Sequence, residues 1–512
     1  MQDARQNPYD AVLYPSHCFP QTHPDRLAAL AALFGMQPAR VESCRVLELG
    51  CGDGSNLIPM ALGLPDSLFL GVDSARRPLE RGRSIIAELG LANIALEQAD
   101  ILEISPDLGR FDYVICHGVF SWVPEEVRRK ILAVCRDNLA PQGVAYVSYN
   151  AYPGWHIRRM VREMMLFHVG ALEDPSKKIA QGRALIAFLA EAQPDASPLR
   201  ALLEAELKEL NERKDEALFH DELAAINRSF YFHEFMELAA AHGLRYLAEA
   251  EFADMFGGRF GREVREKLHA VSPDLASKEQ YLDFLKCRRF RQTLLCREGV
   301  PLARELAPER MKDFFISARL KEDRDFADAG PGAELEFQGM TGSCLKTGDA
   351  LVKAALITLG RARPQALHFE ELLARVGSEL RRDGVREKGD EGSQLAEVIL
   401  ACLCSGLVEL RTRRPRLAAS AGERPAASPL ARLQARSGSL VTGLLHNTVA
   451  LQNPLLRELL QRLDGTCDRA ELLEVLRAQA RSPGAAGDLP LPERGDLERA
   501  LTLFARAALL FR

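Results

Sequence analysis

Short apolar runs alternate with helical stretches between residues 45 and 150. The runs that predict buried strands are Arg45–Leu49, Ser67–Val72, Ile94–Gln98, Phe111–Cys116 and Val144–Tyr149. Patterns of helical period predict helices between these strands, at 55–62, 75–89 and 124–138. Strands that alternate with helices are typical of a parallel sheet with helices on both faces. The chain is therefore predicted to contain an α/β domain with a parallel sheet.

The pattern changes beyond Pro153. Residues 154–242 are predicted to be largely helical, and strand candidates return only at Leu244–Ala250 and Phe290–Arg297. We expect these two runs to be the last strands of the sheet, added after a helical insertion. Two further units, 349–412 and 440–512, are predicted to be compact and helical, each with an apolar run that closes as a small hairpin. A Pro-, Ala-, Ser- and Arg-rich stretch between them is typical of a linker.

These patterns divide the chain into six segments. They are predicted as an N-terminal arm (1–43), an α/β core (44–170), a helical insertion with late sheet strands (171–317), a middle unit (318–412), a linker (413–439) and a C-terminal unit (440–512).

Composition narrows the class of protein. A chain of 512 residues is too long for one ordinary hydrophobic core, so several domains are expected. The net charge of −5 gives no attraction of the whole chain to nucleic acid or to an anionic membrane. Eleven cysteines without a CxxC spacing indicate neither a zinc site nor a disulfide framework, and they suit a reducing compartment. Without a signal-peptide pattern or a long apolar run, the protein is expected to be soluble and cytoplasmic, with no membrane span and no metal.

The first strand ends in a glycine-rich turn, Glu48-Leu49-Gly50-Cys51-Gly52-Asp53-Gly54. Glycines let the backbone turn tightly, so that backbone N–H groups and a helix N-terminus approach a ligand at the end of the sheet. Ser55 stands where a dinucleotide motif has its third glycine. Glu48, two residues before Gly50, gives an acidic-x-G-x-G-x-G form, which resembles motif I of class I methyltransferases rather than an NAD site.

Two acidic positions follow at the ends of later strands. Asp73 lies 23 residues past Gly50, and a carboxylate there accepts hydrogen bonds from both ribose hydroxyls. In the class I family, an acid after the third strand accepts from the adenine amino group and the next apolar residue packs on the ring; Asp100 and Ile101 occupy these places. The resemblance therefore implies S-adenosylmethionine (SAM) as cofactor, held by Glu48, Gly50, Gly52, Gly54, Asp73, Asp100, Ile101 and His117.

Methyl transfer from a sulfonium requires alignment and exclusion of water rather than a metal or a nucleophilic cysteine. Aromatic rings that orient an acceptor amine are expected after the fourth and fifth strands. Candidate catalytic residues there are His117, Tyr149, Tyr152, Trp155 and His156, with Phe120, Trp122 and Asn150 nearby. Each aromatic residue alone is more often core packing, and His156 is either an acceptor-handling residue or a structural cap. No general base is assigned.

The residues that follow the fourth strand also argue against some classes of methyl acceptor. Methylases of adenine, cytosine or glutamine often carry Asn/Asp-Pro-Pro-aromatic there, whereas this chain has Cys116-His117-Gly118-Val119. Methylation of an exocyclic base amine or of a glutamine amide is therefore not expected.

Longer stretches resemble bacterial class I SAM-dependent methyltransferases that carry a methyltransferase regulatory domain. The stretches in the first part are 19–24, 47–60 and 149–156, and those in the regulatory segment are 219–220, 231–235, 243–247 and 290–294. The end around Leu463-Asp464-Gly465-Thr466 is similar to the winged-helix-like end of bacterial protein lysine methyltransferases that modify outer-membrane proteins.

The resemblance implies a Rossmann-like class I methyltransferase sheet with a helical insertion, followed by mainly α winged-helix-like C-terminal units. It makes protein lysine the first choice of acceptor, with outer-membrane proteins as substrates. Ser55 departs from the family pattern, which usually has a glycine there.

Two alternatives stay open at this stage. One is methylation of a small molecule, with the helical insertion acting as a lid. The other is a SAM-sensing regulator whose C-terminal units bind DNA, although the acidic pI near 6.2 and the lack of a basic recognition helix speak against it, so that no nucleic acid partner is expected. The basic run Arg411–Arg416 is explained more simply as part of a solvated linker.

Overall fold

Seven strands form a single sheet in the computed structural model, which describes residues 8–511 apart from 16, 259, 322–332, 341, 383, 385–388 and 482–491. The strands are β1 (Arg45–Leu49), β2 (Leu68–Asp73), β3 (Ile94–Gln98), β4 (Phe111–Cys116), β5 (Leu139–Asn150), β6 (Leu244–Glu249) and β7 (Phe290–Arg297). They lie in the order β3-β2-β1-β4-β5-β7-β6.

The predicted strands are all present, and the two late strands complete the sheet as expected. Strands β1 to β5 pair in parallel, as predicted, whereas β7 runs antiparallel to both β5 and β6. Two helices lie between β6 and β7 in the chain, and β7 lies between β5 and β6 in the sheet.

Helices of the first part of the chain cover the faces of this sheet. They are α1 (Pro8–Ala11), α2 (Pro24–Leu33), α3 (Leu57–Gly63), α4 (Arg76–Leu89), α5 (Glu125–Asp137) and α6 (Trp155–Val169). Successive residues of a strand point to opposite faces, so Val46 packs into one apolar cluster and Leu47 into the other. Both faces are therefore buried, which explains the continuous apolar runs of the sequence.

The insertion contributes helices on both sides of β6. They are α7 (Pro175–Glu191), α8 (Pro198–Glu212), α9 (Asp215–Glu222), α10 (Phe232–Ala241), α11 (Arg262–Val271) and α12 (Leu275–Lys286). Helices α6 to α9 bury an apolar cluster of their own, which includes Val161, Ile186 and Leu203. Among the helices of the described ranges, none is both long enough and apolar enough to cross a bilayer.

The middle unit combines three helices with short strands. Its elements are β8 (Phe315–Ala318), β9 (Leu335–Gln338), β10 (Cys344–Thr347), α13 (Ala350–Ala362), β11 (Leu367–His368), α14 (Phe369–Arg382), α15 (Glu391–Cys404) and β12 (Val408–Arg411). The local hairpin predicted within 349–412 is wrong, because β11 and β12 both pair with β8, which precedes that range.

The C-terminal unit begins earlier than predicted. Its elements are α16 (Pro429–Ser437), β13 (Leu440–Thr442), β14 (Thr448–Ala450), α17 (Pro454–Arg462), α18 (Arg469–Ala480) and α19 (Arg494–Arg506). The predicted hairpin is present as β13 and β14. The prediction of a linker at 413–439 is wrong, since α16 lies in it and its Leu430 and Ala431 are buried.

The basic run Arg411–Arg416 is only partly solvated, since Arg414 and Arg416 are exposed whereas Arg411 is not. Arg411 is buried, and its guanidinium lies 2.5 Å from Glu409 and 3.4 Å from Asp25 of α2. Asp25 also accepts from the backbone N–H of Thr412 at 2.8 Å. The stretch after β12 is therefore fixed against the N-terminal helix of the α/β core, a contact between residues almost 400 positions apart that no local pattern reveals.

Candidate active site

The glycine-rich loop crosses the carboxyl end of β1. Gly50, Gly52 and Gly54 all have positive φ, at 74°, 55° and 71°. A β-carbon on Gly50 would lie 2.4 Å from Val119 Cγ2, whereas one on Gly52 would meet nothing within 4 Å. Gly50 is thus required by close packing as well as by its backbone, and the loop leaves open space over Gly52 for a ligand.

Asp73 connects the end of β2 to this loop. Its Oδ2 accepts from the backbone N–H of Gly52 at 2.8 Å, and its Oδ1 accepts from Ala75 N–H, also at 2.8 Å. Burial raises the pKa of Asp73, and these backbone hydrogen bonds oppose the rise. The carboxylate oxygens keep further lone pairs for ligand hydroxyls.

Glu48 lies behind the loop, in β1. It is 4 % exposed; Oε1 accepts from Asn56 Nδ2 at 2.8 Å, while Oε2 has no partner among the described residues. Burial raises the pKa of Glu48 to about 8. A buried oxygen without a protein partner at the wall of a cavity fits a donor group on a bound cofactor.

The raised pKa of Glu48 predicts a pH-dependent stability. Between its ordinary pKa of 4.5 and about 8, the folded protein holds a proton that the unfolded chain releases, so stability falls as pH rises through this window. The limiting slope is ~1.4 kcal/mol per pH unit. Glu48→Gln is expected to flatten the decline measured by urea unfolding from pH 5 to 8. The exposed Glu97→Gln serves as control, and an unchanged slope in Glu48→Gln would contradict the assignment.

Asp100 and Ile101 follow β3 and border the same cavity. Asp100 Oδ1 caps a short 3₁₀ helix by accepting from Leu102 N–H at 2.9 Å, and Glu103 completes a capping box. Asp100 is exposed and Ile101 half-buried, so both can contact a ligand that lies over the loop.

His117 closes the cavity at the end of β4. Its Nδ1 lies 2.8 Å from Tyr146 Oη, which donates its proton to Gln292 Oε1 at 2.8 Å. Because that hydroxyl proton is used, Nδ1 must carry the hydrogen and Nε2 is left as an acceptor. Burial lowers the pKa of His117 to about 4, so the imidazole is neutral near pH 7. Its ring centroid lies 3.9 Å from that of Phe19.

Of the remaining acceptor candidates, Trp155 borders the cavity. Its ring meets Trp122 edge to face at 6.3 Å, and its Nε1–H donates to Asn227 Oδ1 at 3.0 Å. Asn150 also borders the cavity; it is 2 % exposed, and its Nδ2 has no partner among the described residues.

The structure does not bring Tyr149, Tyr152 or His156 into the cavity. Tyr149 stacks on Phe235 at 4.0 Å, on the opposite face of β5 from Asn150, as strand alternation requires. Tyr152 and His156 stack on each other at 3.9 Å, and His156 Nε2 lies 3.2 Å from Tyr231 Oη. These three rings pack against neighbours away from the cofactor loop, which differs from the prediction.

The cavity has a volume of about 690 Å³, and much of its wall comes from residues that the sequence did not indicate. These wall residues belong to the N-terminal arm, to α6, to the insertion and to the start of β7: Tyr9, Tyr14, Arg158, Glu209, Arg213, Asp221, Arg289 and Phe290. The arm is fixed to the insertion by the stacking of Tyr9 on His220 at 4.2 Å. The arm carries Tyr9, Tyr14 and Phe19 close together in the sequence, and this cluster of aromatic residues is the signal that could have indicated this side of the cavity.

Charged residues of α6 and of the insertion form a network beside the cavity. Buried Arg158 pairs with Glu206 at 2.9 Å and with Glu222 at 2.7 Å, and Arg213 pairs with Glu222 and Asp221. Burial raises the pKa of Asp221 to about 6. Most of these charges are neutralised by each other, which leaves the cavity wall polar without a strong net charge.

Three families match parts of the chain. Residues 46–143 match a "Methyltransferase domain", 214–297 a "Predicted methyltransferase regulatory domain" and 423–489 a "PKMT, C-terminal winged helix domain". An uncharacterized protein of Rickettsia prowazekii (strain Madrid E) is 33 % identical over 96 % of this chain and 89 % of its own length.

The structure of PKMT2 from Rickettsia typhi is similar over nearly the whole chain. It is 29 % identical, covers 97 % of this chain and 99 % of that one, and gives a TM-score of 0.85. Its complex with AdoHcy gives 28 % identity and the same TM-score.

The chain belongs to the SAM-dependent methyltransferases that carry a methyltransferase regulatory domain. This methyltransferase uses SAM, and its fold is the predicted Rossmann-like sheet followed by a winged-helix C-terminal domain.

Proposed function

We propose that this methyltransferase transfers the methyl group of SAM to lysine side chains of proteins. The observation that carries the proposal is the similarity to PKMT2 over 97 % of the chain, which extends through the insertion and the C-terminal units. A cofactor-binding core alone would be shared with methyltransferases of many acceptors, whereas the additional units are where acceptor choice is built.

In this proposal, the cofactor lies over the glycine loop. Asp73 accepts from the ribose hydroxyls, and Asp100 and Ile101 contact the adenine. Glu48, ionised once the positive charge of the cofactor lies beside it, accepts through Oε2 from the amino-acid end of the cofactor. Open space over Gly52 and the unpartnered Glu48 oxygen support this fit. SAM supplies a methyl group already activated by its sulfonium, so the protein has to orient the acceptor and exclude water.

The acceptor side of the cavity suits a lysine side chain. The rings of Trp122, Trp155 and Phe290 border a slot beyond the glycine loop, and aromatic faces attract an ammonium group. The same apolar surroundings favour the neutral amine over the ammonium, which lowers the pKa of a bound lysine from its usual 10.4. Asn150 is buried at the wall of this cavity, and its unpartnered Nδ2 is a donor, so it is suited to an oxygen of a bound ligand rather than to the attacking nitrogen.

Outer-membrane proteins are the proposed substrate class, on the basis of the family resemblance of the C-terminal domain. We place methylation in the cytoplasm, before export, because none of the eleven cysteines forms a disulfide. A substrate that has not yet folded would present its lysines to the slot as an extended chain.

The proposal is tested by incubating the protein with methyl-labelled SAM and a lysate of its host. Label is expected in protein bands, on lysine nitrogen after digestion and mass spectrometry, and it should be absent with an Asp73→Ala variant. Label confined to the small-molecule fraction would instead indicate the alternative acceptor class and overturn the proposal. A purified, unfolded outer-membrane protein then tests the narrower substrate class.

Trp155→Ala is expected to lower kcat/KM for a protein acceptor about 30-fold, because the slot loses one wall while the cofactor loop is untouched. Such a loss corresponds to ~2 kcal/mol of transition-state stabilisation. The affinity for SAM, measured by calorimetry, should change less than about threefold. Phe167→Ala, which removes a 92 % exposed ring from the same helix, is the matched control. Equal kcat/KM values for Trp155→Ala and Phe167→Ala would contradict the placement of Trp155 in the acceptor slot.

A further inference from the structure

The tip of the β13–β14 hairpin enters the α/β core. Within this tip, residues 443–447, His446 is 2 % exposed and has a φ of +61°. Left-handed backbone is uncommon outside glycine, and it persists where surrounding contacts fix it. Here the His446 N–H donates to Gly443 O at 2.9 Å, and the Gly443 N–H donates to Asn447 O at 2.8 Å. The hairpin thus presents one imidazole to the core in a fixed position.

That imidazole contacts the residue that precedes α3. His446 Nε2 lies 2.8 Å from Asn56 Oδ1, between the glycine loop and the helix. Asn56 Nδ2 donates to Glu48 Oε1 at 2.8 Å and to Thr22 Oγ1 at 3.0 Å, and its Oδ1 also accepts from the Phe19 N–H at 3.0 Å. One buried amide therefore joins the N-terminal arm, the first strand and the C-terminal hairpin.

The direction of the hydrogen bond follows from the rest of the network. Because the Phe19 N–H can only donate, the Asn56 atom that it faces must be Oδ1, and His446 Nε2 must carry the hydrogen. His446 Nδ1 is buried without a partner among the described residues. Burial, together with the nearby Arg411 and Arg26, lowers the pKa of His446 to about 3, which keeps the ring neutral. The ring of His23 lies 5.5 Å away.

We propose that His446 is a positioning residue of the cofactor site, through which the C-terminal domain sets the affinity for SAM. It holds the Asn56 amide so that Glu48, a residue of the cavity wall, is bound through Oε1 and keeps Oε2 without a partner among the described residues. The same amide holds Phe19, whose ring packs on His117. The inference rests on the proposed cofactor contacts of Glu48 and is independent of which acceptor is methylated.

The proposal has a reciprocal consequence. If the hairpin improves SAM binding, SAM must stabilise the hairpin in its docked position by the same free energy. The C-terminal domain is then part of the cofactor site, and its hairpin is held by the core rather than available to another partner.

The first test compares His446→Ala with His446→Gln by calorimetric titration of SAM. A glutamine places its amide nitrogen near the position of Nε2 and keeps the donor, whereas alanine removes it. Alanine is expected to raise the Kd for SAM about tenfold, equivalent to ~1.4 kcal/mol, and glutamine less than about threefold. His368→Ala, a half-buried histidine of the middle unit whose Nδ1 accepts from Glu370 N–H at 3.4 Å, is the control.

The second test uses the wild-type protein and stays informative if the alanine variant fails to fold. Hydrogen exchange of residues 440–450 is expected to slow on addition of SAM, and Asp73→Ala should abolish this protection. Unchanged SAM affinity in a folded His446→Ala, equal losses for alanine and glutamine, or hairpin exchange indifferent to SAM would each overturn the proposal. None of these measurements involves the methyl acceptor, so failure of this proposal can be distinguished from failure of the proposed lysine specificity.

Discussion

Asp73→Ala is expected to raise the Kd for SAM more than about 100-fold, a loss of at least ~2.7 kcal/mol. In the structure the carboxylate holds the glycine loop through Gly52 N–H and its own turn through Ala75 N–H. In the proposed cofactor pose, its remaining lone pairs accept from the ribose hydroxyls. Hydrogen bonds to a charged group contribute about 1.5–3 kcal/mol each, so the loss of several accounts for the expected effect.

Calorimetric titration of SAM measures this loss, with circular dichroism to verify the fold. Asp66→Ala is the matched control, because Asp66 is an exposed acid just before β2 that does not border the cavity. Asp73→Asn should be intermediate, since an amide keeps one oxygen acceptor but neither the charge nor the second acceptor. An undiminished affinity of Asp73→Ala for SAM would contradict the assignment of Asp73 to the ribose hydroxyls. It would also contradict the pose proposed for the cofactor.

The cofactor side of the site could be predicted because its residues follow local rules. A strand end, a glycine turn and an acid at the next strand end lie within 30 residues, and each has a recognisable spacing. The strands β1, β3, β4 and β7 have the predicted ends for the same reason, since turn residues bracket their apolar runs. For β5 the signal fails, because Pro141-Gln142-Gly143 looks like a turn although the strand continues through it from Leu139.

The acceptor side could not be predicted in the same way. β5 is buried on both faces from Gly143 to Asn150 and carries tyrosines on either side, Tyr146 and Tyr149, so no alternation of polar and apolar residues separates Asn150 from Tyr149. The other walls come from the N-terminal arm and from the insertion. The contact of Tyr9 with His220 brings together residues more than 200 positions apart, and neither has a spacing that reveals the other.

Arg291→Leu is expected to destabilise the sheet by about 3–5 kcal/mol, the largest effect on folding of any single change considered for this chain. The Arg291 guanidinium is fully buried in β7. It lies 2.6 Å from Glu249, 2.8 Å from Asp283 and 3.1 Å from Glu279. Removal of the cation leaves buried carboxylates without compensation, which costs far more than the hydrophobic gain of leucine.

After the Arg291→Leu substitution, the three acids differ in the hydrogen-bond and ion-pair partners that remain to them. Asp283 keeps Arg288 at 3.0 Å, and Glu249 still accepts from Thr293 Oγ1 at 2.9 Å. Glu279 loses its cation, and its Oε1 already has no partner among the described residues. We therefore expect the double variant Arg291→Leu, Glu279→Leu to recover part of the loss, a coupling that a double-mutant cycle measures.

The measurement is unfolding in urea, monitored by the circular dichroism signal of the β-sheet. The control is Arg262→Leu, which removes an exposed i,i+4 pair with Glu266 on α11 and should change stability by no more than ~0.5 kcal/mol. If Arg291→Leu were as mild as this control, the buried acids would have to be protonated in the wild-type protein. The loss would then be insensitive to pH, whereas ionised carboxylates predict a loss that shrinks as pH falls and the acids take up protons.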